Sequence, residues 1–134
     1  MKLITSELIK RFAEVGRQEG VKDPLVVAKF FDPIGSGNWW ATEYDSERNV
    51  CFGYVSGLHV DEWGYFSITE LESIRRPFGL TIERNILFQE LPISKHIPQA
   101  LIDQTHTNCR STLLLLLEND QKENLRIQLL TLVS

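Results

Sequence analysis

Three runs dense in β-branched and aromatic residues, Val26 to Phe31, Trp39 to Tyr44 and Val50 to Ser56, follow one another with only short segments between them. Such residues suit a pleated, half-buried surface. The connections, Asp32 to Asn38 and Asp45 to Asn49, are rich in turn formers and too short for a crossover, so neighbouring runs must pair antiparallel. A β-meander is therefore the expected centre of the fold. Placing Phe31 opposite Trp39 and Tyr44 opposite Val50 gathers Val26, Ala28, Phe30, Trp40, Thr42, Tyr44, Val50, Phe52 and Tyr54 on one face, the expected core. The second face collects Val27, Lys29, Phe31, Trp39, Ala41, Glu43, Cys51, Gly53 and Val55, with a shallow depression expected where Ala41 and Gly53 meet.

Helical signals flank these runs. Thr5 is a suitable N-cap, Ile4 and Ile9 fall at hydrophobic-staple positions, and Leu8, Ile9, Phe12 and Val15 recur at helical spacing, with Gly20 as the expected terminator. A strand at Tyr65 and Phe66 leads into Ser67 and Glu70, a capping-box pair that predicts a short helix ending before Pro77. Ile82, Ile86, Leu87 and Phe88 are expected to cover or extend the sheet edge, and Pro98 to open a short helix through Leu101 and Ile102. Leu113 to Leu117 and Leu125 to Leu129 suggest a terminal hairpin, with a helical hairpin as the alternative. The fold class expected is α+β: an antiparallel meander with an N-terminal helix and one or two further short helices packed on it.

With 134 residues, the chain has the size of one domain, read here as a core over 1–95 with a leucine-rich extension over 96–134. Its 18 acidic and 14 basic side chains leave a net charge of -4, which offers no general attraction to nucleic acid or anionic lipid. Two cysteines, Cys51 and Cys109, read as structural thiols rather than a disulfide framework. Glu7, Lys10 and Arg11 interrupt the apolar residues at the start, and the longest apolar run, Leu113 to Leu117, is far below the ~20 residues that cross a bilayer. A cytoplasmic protein is expected.

The same segments carry a family resemblance. Lys29-Phe30-Phe31-Asp32-Pro33, Gly35-Ser36-Gly37 with Trp39, Ala41-Thr42-Glu43, Phe52-Gly53-Tyr54-Val55 with Gly57-Leu58, Gly64-Tyr65-Phe66-Ser67 with Glu70-Leu71-Glu72-Ser73, and Gly79-Leu80 with Ile82-Glu83-Arg84 occur in that order. Over residues 3–92 this pattern resembles an uncharacterised bacterial family, domain of unknown function 2958. The resemblance implies a bacterial source, often a plasmid, phage or other mobile element, and it brings no catalytic residues with it.

Chemistry-bearing constellations are sparse. Gly35 and Gly37 could present backbone amides to an anion, but no helix start and no Lys-Ser/Thr follows. His59, Asp61 and Glu62 form a compact acidic loop without the spacing of a zinc site, and neither Cys51 nor Ser67 stands in a nucleophile motif. No cofactor and no metal are expected. The leading expectation is a non-enzymatic module binding another macromolecule, a protein before others, through Lys29, Phe31, Trp39, Glu43, Gly35, Gly37, His59 and Trp63, with Trp39, Phe31 and an exposed Trp63 as the contact patch. Two alternatives stand beside it. One is a small enzyme or ligand-binding protein with a pocket near Lys29, Glu43, Gly53 and His59; the other is a single-strand nucleic-acid binder stacking bases on the sheet aromatics. The scarcity of Lys and Arg among those aromatics disfavours the last.

Overall fold

The computed structural model describes residues 2–103; the leucine-rich segments and Cys109 lie outside them. The first helix, α1 (Ser6–Val15), begins where Thr5 Oγ1 accepts the Leu8 N–H at 3.2 Å. It stops at Gly16, four residues before the expected terminator, because Gly16 takes the left-handed conformation (φ 72°) and donates its N–H to Phe12 O. Leu8, Phe12 and Val15 face the core, while Ile9 lies off that stripe and is exposed.

Among the described residues seven strands follow: β1 (Leu25–Val26), β2 (Ala28–Phe31), β3 (Asn38–Asp45), β4 (Val50–Ser56), β5 (Glu62–Ser67), β6 (Glu83–Arg84) and β7 (Leu91–Pro92). The five-stranded antiparallel sheet has the order β5-β4-β3-β2-β6, and β1 pairs separately with β7. Between β5 and β6 lies α2 (Ile68–Ser73), capped by Ser67 Oγ, which accepts the Glu70 N–H at 3.2 Å. A further short helix, α3 (Gln99–Asp103), follows Pro98.

The meander is as expected in order, but each hairpin is shifted by one residue. Phe30 pairs with Trp39, Phe31 with Asn38, Tyr44 with Cys51 and Asp45 with Val50. Both loops are one residue tighter than symmetric pairing assumed, and a one-residue shift exchanges the faces of one partner relative to the other. A β-bulge between Ala41 and Glu43 then changes the parity of β3 a second time. In consequence Phe30, Trp39, Ala41, Cys51 and Phe66 share one core with Phe12, Ile68, Leu71 and Ile82. Trp40, Phe52, Tyr54 and Trp63 share another with Val26, Ile93 and Ala100.

Both faces of the sheet are therefore covered, the first by α1 and α2 and the second by residues 93–101. The second layer continues past residue 95, where a separate extension was expected to start: Ile97, Ala100 and Leu101 pack into it. Trp63 Nε1–H donates to Ala100 O at 2.7 Å and ties the layer to β5.

The bulge is held from outside the sheet. Gln18 is buried and donates from Nε2 to Leu25 O and Thr42 O, each at 2.8 Å, while its Oε1 accepts the Leu25 N–H at 2.7 Å. Thr42 Oγ1 donates across the bulge to Phe52 O at 3.1 Å. Gly53 lets the strands close here, since a Cβ at that position would lie 1.9 Å from Trp40 O. No rearrangement of a side chain relieves a clash with backbone, so Gly53→Ala is expected to lose about 3 kcal/mol or more in urea unfolding. Gly64 pairs with Gly53 and has nothing within 4 Å of its would-be Cβ, so Gly64→Ala should be neutral or stabilising by up to about 1 kcal/mol in the same assay.

Candidate functional site

The expected binding face does not exist as an open surface. Trp39 has 0% of its surface exposed and Trp63 7%, because helices and the 93–101 segment cover both sides of the sheet. Lys29 lies on the second face with Nζ 4.5 Å from the Trp40 ring centroid, an intramolecular cation–π contact. Phe31 is half-buried beside its partners Asn38 and Glu83. Glu43 is turned to the bulge: its Oε2 accepts the Gln18 N–H at 3.1 Å and its Oε1 lies 4.0 Å from Arg17 Nε. Gly53 contributes no depression, since the Trp40 carbonyl fills the space next to it.

Gly35, Gly37 and His59 do gather at one end of the sheet, but the loops that carry them close on each other. Ser36 Oγ donates to Gly57 O, and a Cβ on Gly57 would strike Ser36 O at 1.7 Å. The Gly57 N–H is taken by Asp61 Oδ1 at 2.9 Å. Inside the glycine-rich loop sits the buried carboxylate of Asp32, paired with Arg76 Nε at 2.9 Å, and a Cβ on Gly35 would lie 2.6 Å from its Oδ2. The loop backbone is turned to this carboxylate, Asp32 Oδ1 accepting the Ile34 N–H at 3.1 Å, and Gly35 leaves room for the Asp32–Arg76 pair. His59 is exposed at this end, whereas Glu43 lies four rungs or so down the sheet, on the order of 13 Å away at ~3.3 Å per residue. The pocket imagined around Lys29, Glu43, Gly53 and His59 is thus not assembled.

Burial also settles the thiol. Cys51 is completely buried, and desolvation pushes its pKa well above the ordinary value, which keeps it protonated and inert. Burial likewise raises Tyr44, whose ring packs 5.7 Å from Phe12. Among the described residues, no group of three or more His, Cys, Asp or Glu side chains is arranged to hold a metal ion, and no helix is long and apolar enough to cross a membrane.

What the structure opens instead is the sheet edge. Because β6 covers β2 only at Phe30 and Phe31, and β7 pairs with β1, residues 85–90 bow away from Val27 and Ala28. They leave a cleft of about 700 Å³. Leu8 and Arg11 of α1 form one wall; Arg84, Asn85, Ile86, Phe88 and Glu90 form the other. Arg11 spans the cleft in a forked pair with Glu90, its Nε 3.0 Å from both carboxylate oxygens and its Nη2 2.8 Å from Oε1. That partner raises the Arg11 pKa still further, so the guanidinium is a permanent charge at the cleft. Arg84 Nη1 donates to the carbonyls of Lys2 and Leu3 and fixes the chain start against the edge.

The expectation that Ile82, Ile86, Leu87 and Phe88 would all cover the edge holds for two of them. Ile82 is buried and Phe88 packs against the second core, but Ile86 and Leu87 are 72% and 89% exposed. Asn85 causes the difference, since its Oδ1 accepts the Leu87 N–H at 3.1 Å and its own N–H goes to Lys29 O, turning the chain outward just past the last ladder bond. An asparagine two residues before the leucine is the one signal in the sequence that pointed to this turn.

An α+β protein with an antiparallel sheet buried on both faces, and with its open surface at an edge, is the class that this geometry defines. The chain belongs to the DUF2958 family, described as a protein of unknown function, whose model matches residues 3–105. No curated protein and no solved structure shows a significant match.

Buried and exposed aromatic or aliphatic positions should now behave oppositely. Trp39→Ala is expected to cost about 3–5 kcal/mol in urea unfolding, as for any large side chain deleted from a core. Ile86→Ala should stay within about 0.5 kcal/mol of wild type.

Proposed function

We propose that this protein is a protein-binding module that docks through the sheet edge around β6. The observation that supports it is the placement of exposed apolar surface. Among the described residues, the most exposed large hydrophobic side chains are Phe78 at 94%, Leu87 at 89% and Ile86 at 72%. All of them flank β6 along the chain, Phe78 at the tip of the turn closed by the Arg75–Thr81 bridge and the other two directly after Arg84. Phe78 also holds a left-handed backbone (φ 65°) that glycine or asparagine would adopt with less strain. Burying such side chains against a partner is the energetically productive use of surface that otherwise stands in water.

Charge indicates the partner's character. Arg75 and Arg84 accompany Glu83 in this stretch, Arg76 being neutralised by Asp32, which leaves a small positive excess within a chain of net charge -4. The fitting partner is a protein with an apolar recess rimmed by carboxylates, and the arginines would steer its approach.

A photo-crosslinking residue at position 86, compared with one at exposed Lys22, identifies the partner in cells that make the protein; both proteins are then purified. Phe78→Asp combined with Ile86→Asp and Leu87→Asp should weaken Kd at least tenfold, or about 1.4 kcal/mol, with the melting temperature unchanged. Equal affinity in the triple variant, or no more crosslinking at 86 than at Lys22, overturns the proposal.

A further inference from the structure

The segment that covers the second face of the sheet carries a histidine in an unusual setting. His96 stacks on Phe88, with ring centroids 4.8 Å apart and planes 27° apart, and leans on Trp40 at 5.3 Å and 34°. Its Nε2 is buried without a hydrogen-bond partner. The Trp40 ring already carries the ammonium of Lys29.

These contacts suit a neutral imidazole and oppose an imidazolium. A proton on Nε2 would create a buried N–H with no acceptor. The added charge would face the Lys29 ammonium, and the Trp40 π system would have to serve two cations. Among the described residues no carboxylate acts on His96 to compensate. On β2 the charged group acting on His96 is Lys29; on β3, Glu43 is engaged by Gln18 and Arg17; in the 85–90 loop, Glu90 is held by Arg11. Within its own segment Lys95 adds another positive charge, and Asp23, which reaches that segment, accepts from Ser94 N–H and Oγ–H.

We infer that residues 88–101 form an acid-released latch on the sheet, with His96 as the proton-sensitive pin. While His96 is neutral, Ile93 and Ala100 stay buried and Ala100 O holds the Trp63 indole. Once it is protonated, the segment lifts and exposes the aromatic face of Trp40, Phe52, Tyr54 and Trp63.

The direction follows from linkage. Burial, and after it the Lys29 charge, lower the His96 pKa from 6.5 in the folded chain, against a weaker opposing hydrogen bond that the imidazole donates to the Gln89 backbone carbonyl. The free, unlatched segment therefore binds the proton more readily, so closure is complete above pH 6.5 and is lost as pH falls from there toward the depressed folded value.

Hydrogen exchange of the full chain at pH 7.5 and 5.0, corrected for intrinsic amide rates, tests this. Protection over residues 93–101 should fall at the lower pH while α1 keeps its own. His96→Phe, which retains the stack without a titratable nitrogen, should abolish that dependence, and Lys29→Met should reduce it. An NMR titration of the wild-type imidazole provides a check that needs no variant. A folded-state His96 pKa at or above 6.5, or the same pH response in His96→Phe as in wild type, overturns the latch.

Discussion

Everything in this fold depends on the point where β3 changes face. At the bulge around Thr42 the strand skips a rung, so that Tyr44 joins Trp39 and Ala41 on the α1 side while Glu43 joins Trp40 and Phe52 on the other. Without that skip, a carboxylate would point at Phe12 and a tyrosine at Arg17. The bulge leaves the Thr42 carbonyl without a ladder partner, and the buried Gln18 amide supplies one. Gly53 completes the arrangement, because only a residue without a side chain admits the Trp40 backbone so closely.

Once the parity of β3 is set, the aromatic residues divide into two cores rather than a core and a contact surface. Phe30 and Phe66 meet edge-on in the first, with ring centroids 6.4 Å apart; Phe52, Tyr54 and Trp63 interlock at 5.0 to 6.0 Å with Tyr65 in the second. A sheet buried on both sides has only its edges and loops left to meet other molecules. One such edge is β6, two residues long, flanked by apolar side chains that nothing within the described chain covers. The family membership states no activity, so the reading of this edge as a docking surface rests on its own chemistry.

The sheet edge and the His96 segment are different parts of the molecule but share the 85–90 loop. Its first half carries Ile86 and Leu87 outward, whereas Phe88 turns inward onto His96 and Glu90 locks to Arg11 of α1. A loop held at both ends in this way transmits little motion while the latch is closed. Release of His96 would remove one of its anchors, which gives the sheet edge and the second face a physical route by which the state of one bears on the other.

The order and antiparallel pairing of the central strands follow from the residues along the chain, because loops as short as 32–37 and 46–49 permit nothing else, and so do the helix starts, because Thr5 and Ser67 act on N–H groups only three residues away. These are local effects, decided by neighbours along the chain. Register was not: alternation alone places Phe31 against Trp39 as comfortably as Phe30, and only the packing of Phe12, Leu71 and Ile82 from distant segments selects the observed pairing. The exposure of Trp39 and Trp63, the cleft between α1 and residues 84–90, and the setting of His96 were likewise decided by tertiary structure, since each depends on which remote element comes to lie on a given face, and hydrophobic burial has no direction that a sequence can spell out.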